Sequence, residues 1–260
     1  MALFEFELAN VEDIVPWETS DGPSLNWFAL TDGRFWMPVG DQVLSEYSDE
    51  IMAHWMTTVR TADYQIAAFA RRMLGSAAAG AARLPERLER LASNWKRLCE
   101  LREESDTADD DEASDLGYTA WNWLGERSPW ASYLVANPRF HFVRVGDELR
   151  IHWDNRDRVV DGFPVWTAQF GVYAMPVESF VDECRDFARR LLREMDARIE
   201  AIEAGAVNAR AALDAHALRQ QHETWLTEFA SYFNEYQPDI PWYDAERALE
   251  AIAKKRGLTF

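Results

Sequence analysis

The chain has 260 residues, 48% hydrophobic and 13% aromatic with 12 Trp, and a formal net charge of −18. A chain of this size buries roughly 70–75% of the surface its unfolded form exposes, so its core needs no disulfide framework. The two cysteines, Cys99 and Cys184, are far apart in sequence and offer neither a framework nor clustered zinc ligands.

The charge is unevenly spread. Residues 1–50 hold eleven acids against one base, Arg34, and residues 103–115 hold eight acids and no base. The remaining residues balance, with 26 acids and 26 bases, so the whole surplus lies in two segments. Such a surplus reads as a solubility surface or as a docking face for a cationic partner. It disfavours direct binding to nucleic acid, which needs a basic patch. The N-terminus, Met1-Ala2-Leu3-Phe4-Glu5, lacks the basic start and apolar core of a signal peptide. No stretch approaches the ~20 apolar residues of a membrane span, so a cytoplasmic protein without membrane contact is expected.

In chain order, Leu3 to Leu8 alternates apolar and acidic positions and reads as a half-buried strand. A loop follows to Pro23. Leu25–Leu30 and Arg34–Val39 then read as a hairpin across Thr31-Asp32-Gly33, since Gly accepts the positive φ of a tight turn. A helix is expected from Thr61 or Asp63 to Leu74, and Gly75–Ala82 is either a turn or a weak helix. A second helix, 84–102, carries Leu84, Leu88, Leu91, Trp95 and Leu98 at spacings of three and four. The acidic run at 103–115 cannot bury apolar surface and reads as a mobile loop. Leu116–Trp130 reads as a short helix and a turn. Strands return at Arg139–Val145 and Glu148–Asp154 across Gly146-Asp147, with a turn at Asp161-Gly162 and a strand from Pro164 to Tyr173. Long helices at 176–203 and 207–233 follow, then a short one near 244–254. Strands, helices, strands and helices in that order, joined by hairpins, predict a single α+β domain over 1–260: an antiparallel sheet covered by long helices.

Phe4-x-Phe6-x-Leu8, Pro16-Trp17, Leu25-x-Trp27-Phe28-x-Leu30-Thr31-Asp32-Gly33 and Trp36 resemble the opening of a family of uncharacterised bacterial proteins. Arg150-Ile151-His152-Trp153-Asp154, Asp161-Gly162, Val165-Trp166, Ala168 and Gly171 resemble its second half. That family is catalogued as a domain of unknown function, so the resemblance implies no activity and no catalytic residues. It implies occurrence in bacteria with many toxin–immunity genes.

No catalytic or metal-binding set is visible. His222-Glu223-Thr224-Trp225-Leu226 lacks the second histidine of a zinc-protease helix, and His216 and His222 do not share the i, i+4 face a metal needs. His141 and His152 lie on facing strands and are expected to be neighbours across the sheet. Asp154, Asp157 and Asp161 cluster near a turn, where aspartate caps turns through its own side chain. No nucleophile elbow and no phosphate-binding loop is present. No cofactor and no metal is therefore expected.

Aromatic residues crowd the acidic first fifth of the chain. They form either a two-sided core or an exposed patch rimmed by carboxylates, the anatomy of a protein interface. The second form predicts an immunity-type protein that inhibits a cationic bacterial toxin domain by occupying its basic cleft. Its partner-binding residues would be Glu12, Asp13, Trp17, Glu18, Asp21, Trp27, Asp32 and Trp36. The competing expectation is a small-molecule or nucleotide-binding enzyme or sensor with a Trp/Asp-lined pocket.

Overall fold

Strand β1 (Glu5–Leu8) lies antiparallel to the long strand β4 (Asp32–Val39), with Phe6 opposite Phe35 and Leu8 opposite Gly33. The computed structural model describes residues 2–20, 22–94, 111–130, 134–234, 236–255 and 257. β6 (Ala62–Gln65) pairs with β4 from Asp32 to Phe35, and β5 (Gln42–Leu44) pairs with it from Met37 to Val39. Along β4, Gly33, Phe35, Met37 and Val39 are buried while the intervening residues are not, as a strand's two-residue period requires.

The expected hairpin across Thr31-Asp32-Gly33 does not form. Trp27 and Phe28 lie in a turn that runs into a single 3₁₀ turn, Ala29–Thr31, and β4 begins at Asp32. Gly33 serves close approach instead of turning: a Cβ there would stand 2.3 Å from the Glu7 carbonyl oxygen of β1. The tight turn of this sheet is Gly40-Asp41, where Val39 pairs with Gln42 and Gly40 takes φ +61°. A short ribbon, β2 (Trp17–Thr19) against β3 (Gly22–Ser24), projects before β4.

Helix α1 (Asp49–Trp55) has no counterpart in the sequence expectations. The Ser48 hydroxyl caps it by accepting from Ile51 N at 3.1 Å. Helix α2 (Ile66–Ala81) runs unbroken through the Ala/Gly segment. Its small residues are a packing device, since a Cβ on Gly80 would meet Phe142 Cβ at 2.3 Å. Helix α3 (Glu86–Ser93) buries Leu88, Leu91 and Ala92, and the rest of the expected helix, from residue 95, lies outside the described residues. So does the acidic segment at 103–110. Residues 111–115 are the start of helix α4 (Asp111–Gly125).

The second sheet has the order β11-β8-β7, from β7 (Phe140–Val145), β8 (Glu148–Asp154) and β11 (Phe170–Pro176). The turn between β7 and β8 is Gly146-Asp147 as expected, and His141 stands opposite His152. Asp161-Gly162 turns between two-residue strands β9 (Val159–Val160) and β10 (Phe163–Pro164), both turn residues at positive φ. The strand expected over Pro164–Tyr173 is therefore two strands separated by a loop that buries Val165 and Trp166.

Helix α5 (Val177–Glu203) follows β11 directly and buries Phe180, Cys184, Phe187, Leu191, Met195 and Ile199. Helix α6 (Ala215–Ser231) starts later than the expected 207, because the Asp214 carboxylate caps it by accepting from Ala217 N at 3.0 Å. The preceding strap packs Ala209, Ala211 and Leu213 on the core. Helix α7 is Trp242–Lys255. Among the described residues the architecture is α+β, 46% helical and 23% strand, with antiparallel sheets.

One core cluster joins both sheets through α2, α5 and α6, including Phe4, Phe35, Phe69, Phe142, Trp153, Phe180 and Phe187. A second gathers α3, α4 and α7 over Val143 of β7. The second sheet is thus covered on both faces at β7, while at β11 its outer residues Phe170 and Val172 are exposed.

Candidate functional site

The acidic N-terminal segment folds as a 3₁₀ turn, Val11–Asp13, followed by the β2–β3 ribbon. Glu12, Asp13 and Glu18 are exposed. Between them in sequence, Val15 is 68% and Trp17 42% exposed. Asp13 accepts from Asn10 Nδ2 at 3.1 Å, and Arg210 Nε donates to the Glu12 backbone carbonyl at 2.9 Å. Among the described residues no basic side chain forms an ion pair with the carboxylates of Glu12, Asp13 or Glu18. Other acids of the segment are neutralised: Glu7 by Arg34 at 2.5 Å, Glu5 by Arg190 at 3.4 Å and Asp49 by Arg60 at 3.2 Å. Glu12, Asp13 and Glu18 thus flank in sequence an exposed apolar knob of Val15 and Trp17.

The knob has an aromatic root. The Trp17 ring lies 5.7 Å from Phe28, which stacks on Trp225 at 6.5 Å, and Trp225 stacks on Trp27 at 4.6 Å. Trp27 is 0% exposed, and its indole Nε1 donates to His222 Nδ1 at 3.1 Å. Burial holds the His222 imidazole below its ordinary pKa, and the indole donor needs Nδ1 as a free acceptor. Trp27 therefore leaves the expected partner-facing set: it is a core residue that supports Trp17 from below. Asp32 and Trp36 are half-buried and belong to the outward positions of β4, away from the ribbon in sequence and secondary structure. Burial raises the Asp32 carboxyl, helped by nearby Asp63 and opposed by the Gly33 amide and Arg198. Asp21 lies outside the described residues.

The turn carboxylates do not converge. Asp154 is clamped by Arg156 at 2.6 and 2.9 Å, Asp157 holds Arg139 at 2.8 Å, and Asp161 meets His54 at 3.0 Å. Trp153 is buried in the core. Cys184 is also buried, which drives its thiol pKa up and removes it as a nucleophile. Cys99 lies outside the described residues. Among the described residues no three His, Cys, Asp or Glu side chains stand together as a metal site, and no helix is long and apolar enough to cross a membrane.

Sequence reasoning missed a second, oppositely charged feature. A cleft of about 1180 Å³ opens between α2, α4, the loop leading into β7, and the segment after α6. Arg71, Arg72, Arg139 and Arg158 line it, against Glu126 and Asp239. Trp121 and Trp130 also line it and are 42% and 59% exposed. Arg158 lies among aspartates, whereas Arg71 and Arg72 fall in the acid-free stretch 64–85 and Arg139 in the acid-free stretch 127–146, where the bases are too scattered to form a run. The local signals are the Arg71-Arg72 pair and Asn155-Arg156-Asp157-Arg158 after β8, the latter resembling ordinary turn chemistry.

No curated protein and no solved structure matches this chain. A family model does match, over residues 3–248, and the chain belongs to that family, DUF5984, a family of unknown function.

Proposed function

We propose that this protein is an immunity-type inhibitor that binds a basic bacterial toxin domain in the cytoplasm and occupies its cationic cleft. The observation that carries this reading is the Val15–Trp17 knob, exposed and flanked by Glu12, Asp13 and Glu18, which have no ion-pair partners among the described residues. An aromatic anchor supplies desolvated contact area, and unpaired carboxylates around it steer a cationic partner and fix its orientation. The aromatic stack on which Trp17 rests would lower the ordering cost of binding. Glu12, Asp13, Trp17 and Glu18 are the central contacts of this reading, and Asp32 and Trp36 fall to its periphery. The rival reading, a Trp/Asp-lined small-molecule pocket, has less behind it, because Asp32, Asp154 and Asp161 are engaged in separate places.

The test is a search of the neighbouring genes for a basic toxin domain and binding of this chain to it, followed by stopped flow across a salt series. Reversing Glu12, Asp13 and Glu18 to lysine should slow association and flatten its salt dependence, and Trp17→Ala should speed dissociation. Reversal within 103–115 is the comparison. Binding that is insensitive to salt and unchanged by both reversals overturns the electrostatic mechanism.

A further inference from the structure

We propose that the arginine-lined cleft is a binding site for a free nucleotide, its phosphates held by Arg139 and Arg158 and its base stacked on Trp121 or Trp130.

The argument starts from the anchoring of the two arginines. Asn155 is buried and links both backbones. Its Oδ1 accepts from Arg139 N at 2.7 Å, its carbonyl accepts from Arg158 N at 2.9 Å, and its Nδ2 donates to the Ala168 carbonyl at 2.8 Å. The pair is thus preorganised by main-chain contacts, which two flexible surface cations would not be. The two guanidiniums share one carboxylate: Asp157 is 2.8 Å from Arg139 Nη2 and 3.9 Å from Arg158 Nε. Among the described residues Asp157 is the one carboxylate within ion-pair distance of both; Asp154 also acts on Arg139, and Glu126 and Asp239 stand elsewhere on the cleft wall. The fork of a guanidinium matches the oxygens of a phosphate.

The remaining features select among anions. Arg72 adds a further cation with no ion-pair partner among the described residues, whereas Arg71 is already held by Glu228 at 2.6 and 2.9 Å. Exposed Trp121 and Trp130 offer π-faces, on which a planar base stacks with useful affinity whatever its identity. The volume exceeds what inorganic phosphate fills and suits an organic ligand. A polymeric nucleic acid meets a chain of net charge −18, which repels a polyanion beyond the cleft mouth while leaving a small anion inside it attracted.

The test uses the full chain at low salt, titrated calorimetrically with ADP, inorganic pyrophosphate and an oligothymidylate. ADP should bind, pyrophosphate more weakly, and the oligonucleotide no better than ADP. Arg139→Gln combined with Arg158→Gln should weaken ADP at least about tenfold. Trp130→Ala together with Trp121→Ala should weaken ADP and leave pyrophosphate unchanged. If the double arginine variant fails to fold, Arg72→Gln takes its place, with a smaller loss expected. Absence of ADP binding at millimolar concentration, or binding indifferent to all these variants, overturns the proposal. An oligonucleotide that binds more tightly than ADP overturns it in favour of a polymer site. Lysine reversals at Glu12, Asp13 and Glu18 should leave ADP binding intact, so this site and the acidic knob stand or fall separately.

Discussion

The acidic knob and the arginine cleft are built on opposite plans. The knob is exposed and contiguous: Glu12 to Glu18 supplies its charge and its apolar tip, with Phe28, Trp225 and Trp27 stacked behind it. The cleft is concave and assembled, with arginines from α2, from the loop before β7 and from the turn after β8. In a contiguous site, charge surplus along the chain is charge surplus in space. In an assembled site the basic residues are scattered along the chain, and only folding brings them together. The two surfaces show that a chain acidic overall still gathers arginines where its elements converge.

Four measurements test how far that contrast extends. The largest effect should come from the root of the knob. Trp27→Ala removes a fully buried indole and the donor to His222, and should cost about 3–5 kcal/mol in urea unfolding. Trp17→Ala, at the exposed tip, should cost less than about 1 kcal/mol. Equal losses would mean that tip and root are one structural unit and that Trp17 is not held for a partner.

The wall of the cleft comes next. Gly80→Ala drives a Cβ into Phe142, with its carbonyl oxygen at 2.7 Å as well, and should cost about 1–3 kcal/mol by forcing α2 off β7. Gly75→Ala on the same helix meets only Tyr232 Cε1 at 3.6 Å and should be neutral or gain up to about 1 kcal/mol from helix propensity. A Gly80→Ala variant as stable as the parent would show that the wall yields and the cleft is not rigid.

The sheet that carries Phe140 into the cleft should respond to acid. Burial, with Arg150 nearby, lowers the His152 pKa to about 4. Its folded-state pKa lies below the unfolded value of ~6.5, so the contribution of neutral His152 is present above pH ~6.5 and is lost as pH falls toward 4. Between those limits the loss should be on the order of 1–3 kcal/mol. His152→Gln should flatten that segment of the stability–pH curve, and an unchanged slope would assign the acid sensitivity elsewhere.

The smallest effect on stability should come from the rim of the knob. Glu12→Lys and Glu18→Lys should each shift stability by no more than about 0.5 kcal/mol, since neither carboxylate has an ion-pair partner among the described residues to lose. A larger shift would show that these acids serve the fold and weaken their assignment to a partner.

Much of the secondary structure was legible because its causes are local. The apolar stripe from Phe180 to Ile202 makes α5 whatever surrounds it, and Gly146-Asp147 closes the β7–β8 hairpin by its own conformational preference. The same reasoning failed at Asp32-Gly33, where the glycine answers the approach of Glu7 from another strand. It also failed at Ala29–Thr31, where the Thr31 hydroxyl accepts from Ala67 N at 3.1 Å and ties the turn to the start of α2. Helix α1 went unseen because its seven residues carry only one buried side chain, Ile51, too few for a period to show.

By itself the sequence determined the α+β class, the long helices, the β7–β8 hairpin and the acidic character of residues 1–50. Each of these follows from neighbours along the chain: periodicity, turn preference and charge count. Tertiary structure alone decided which tryptophans are tools and which are core. Trp17 and Trp27 sit in the same aromatic stack, yet one faces solvent and the other accepts none. It also decided which carboxylates stay unpaired, because Arg190 and Arg34 reach Glu5 and Glu7 from distant elements while among the described residues no base pairs with the carboxylate of Glu12 or Glu18. The cleft belongs wholly to this second class. Burial and ion pairing depend on contacts between segments far apart in the chain, and those contacts form only when the sheets close on their helices.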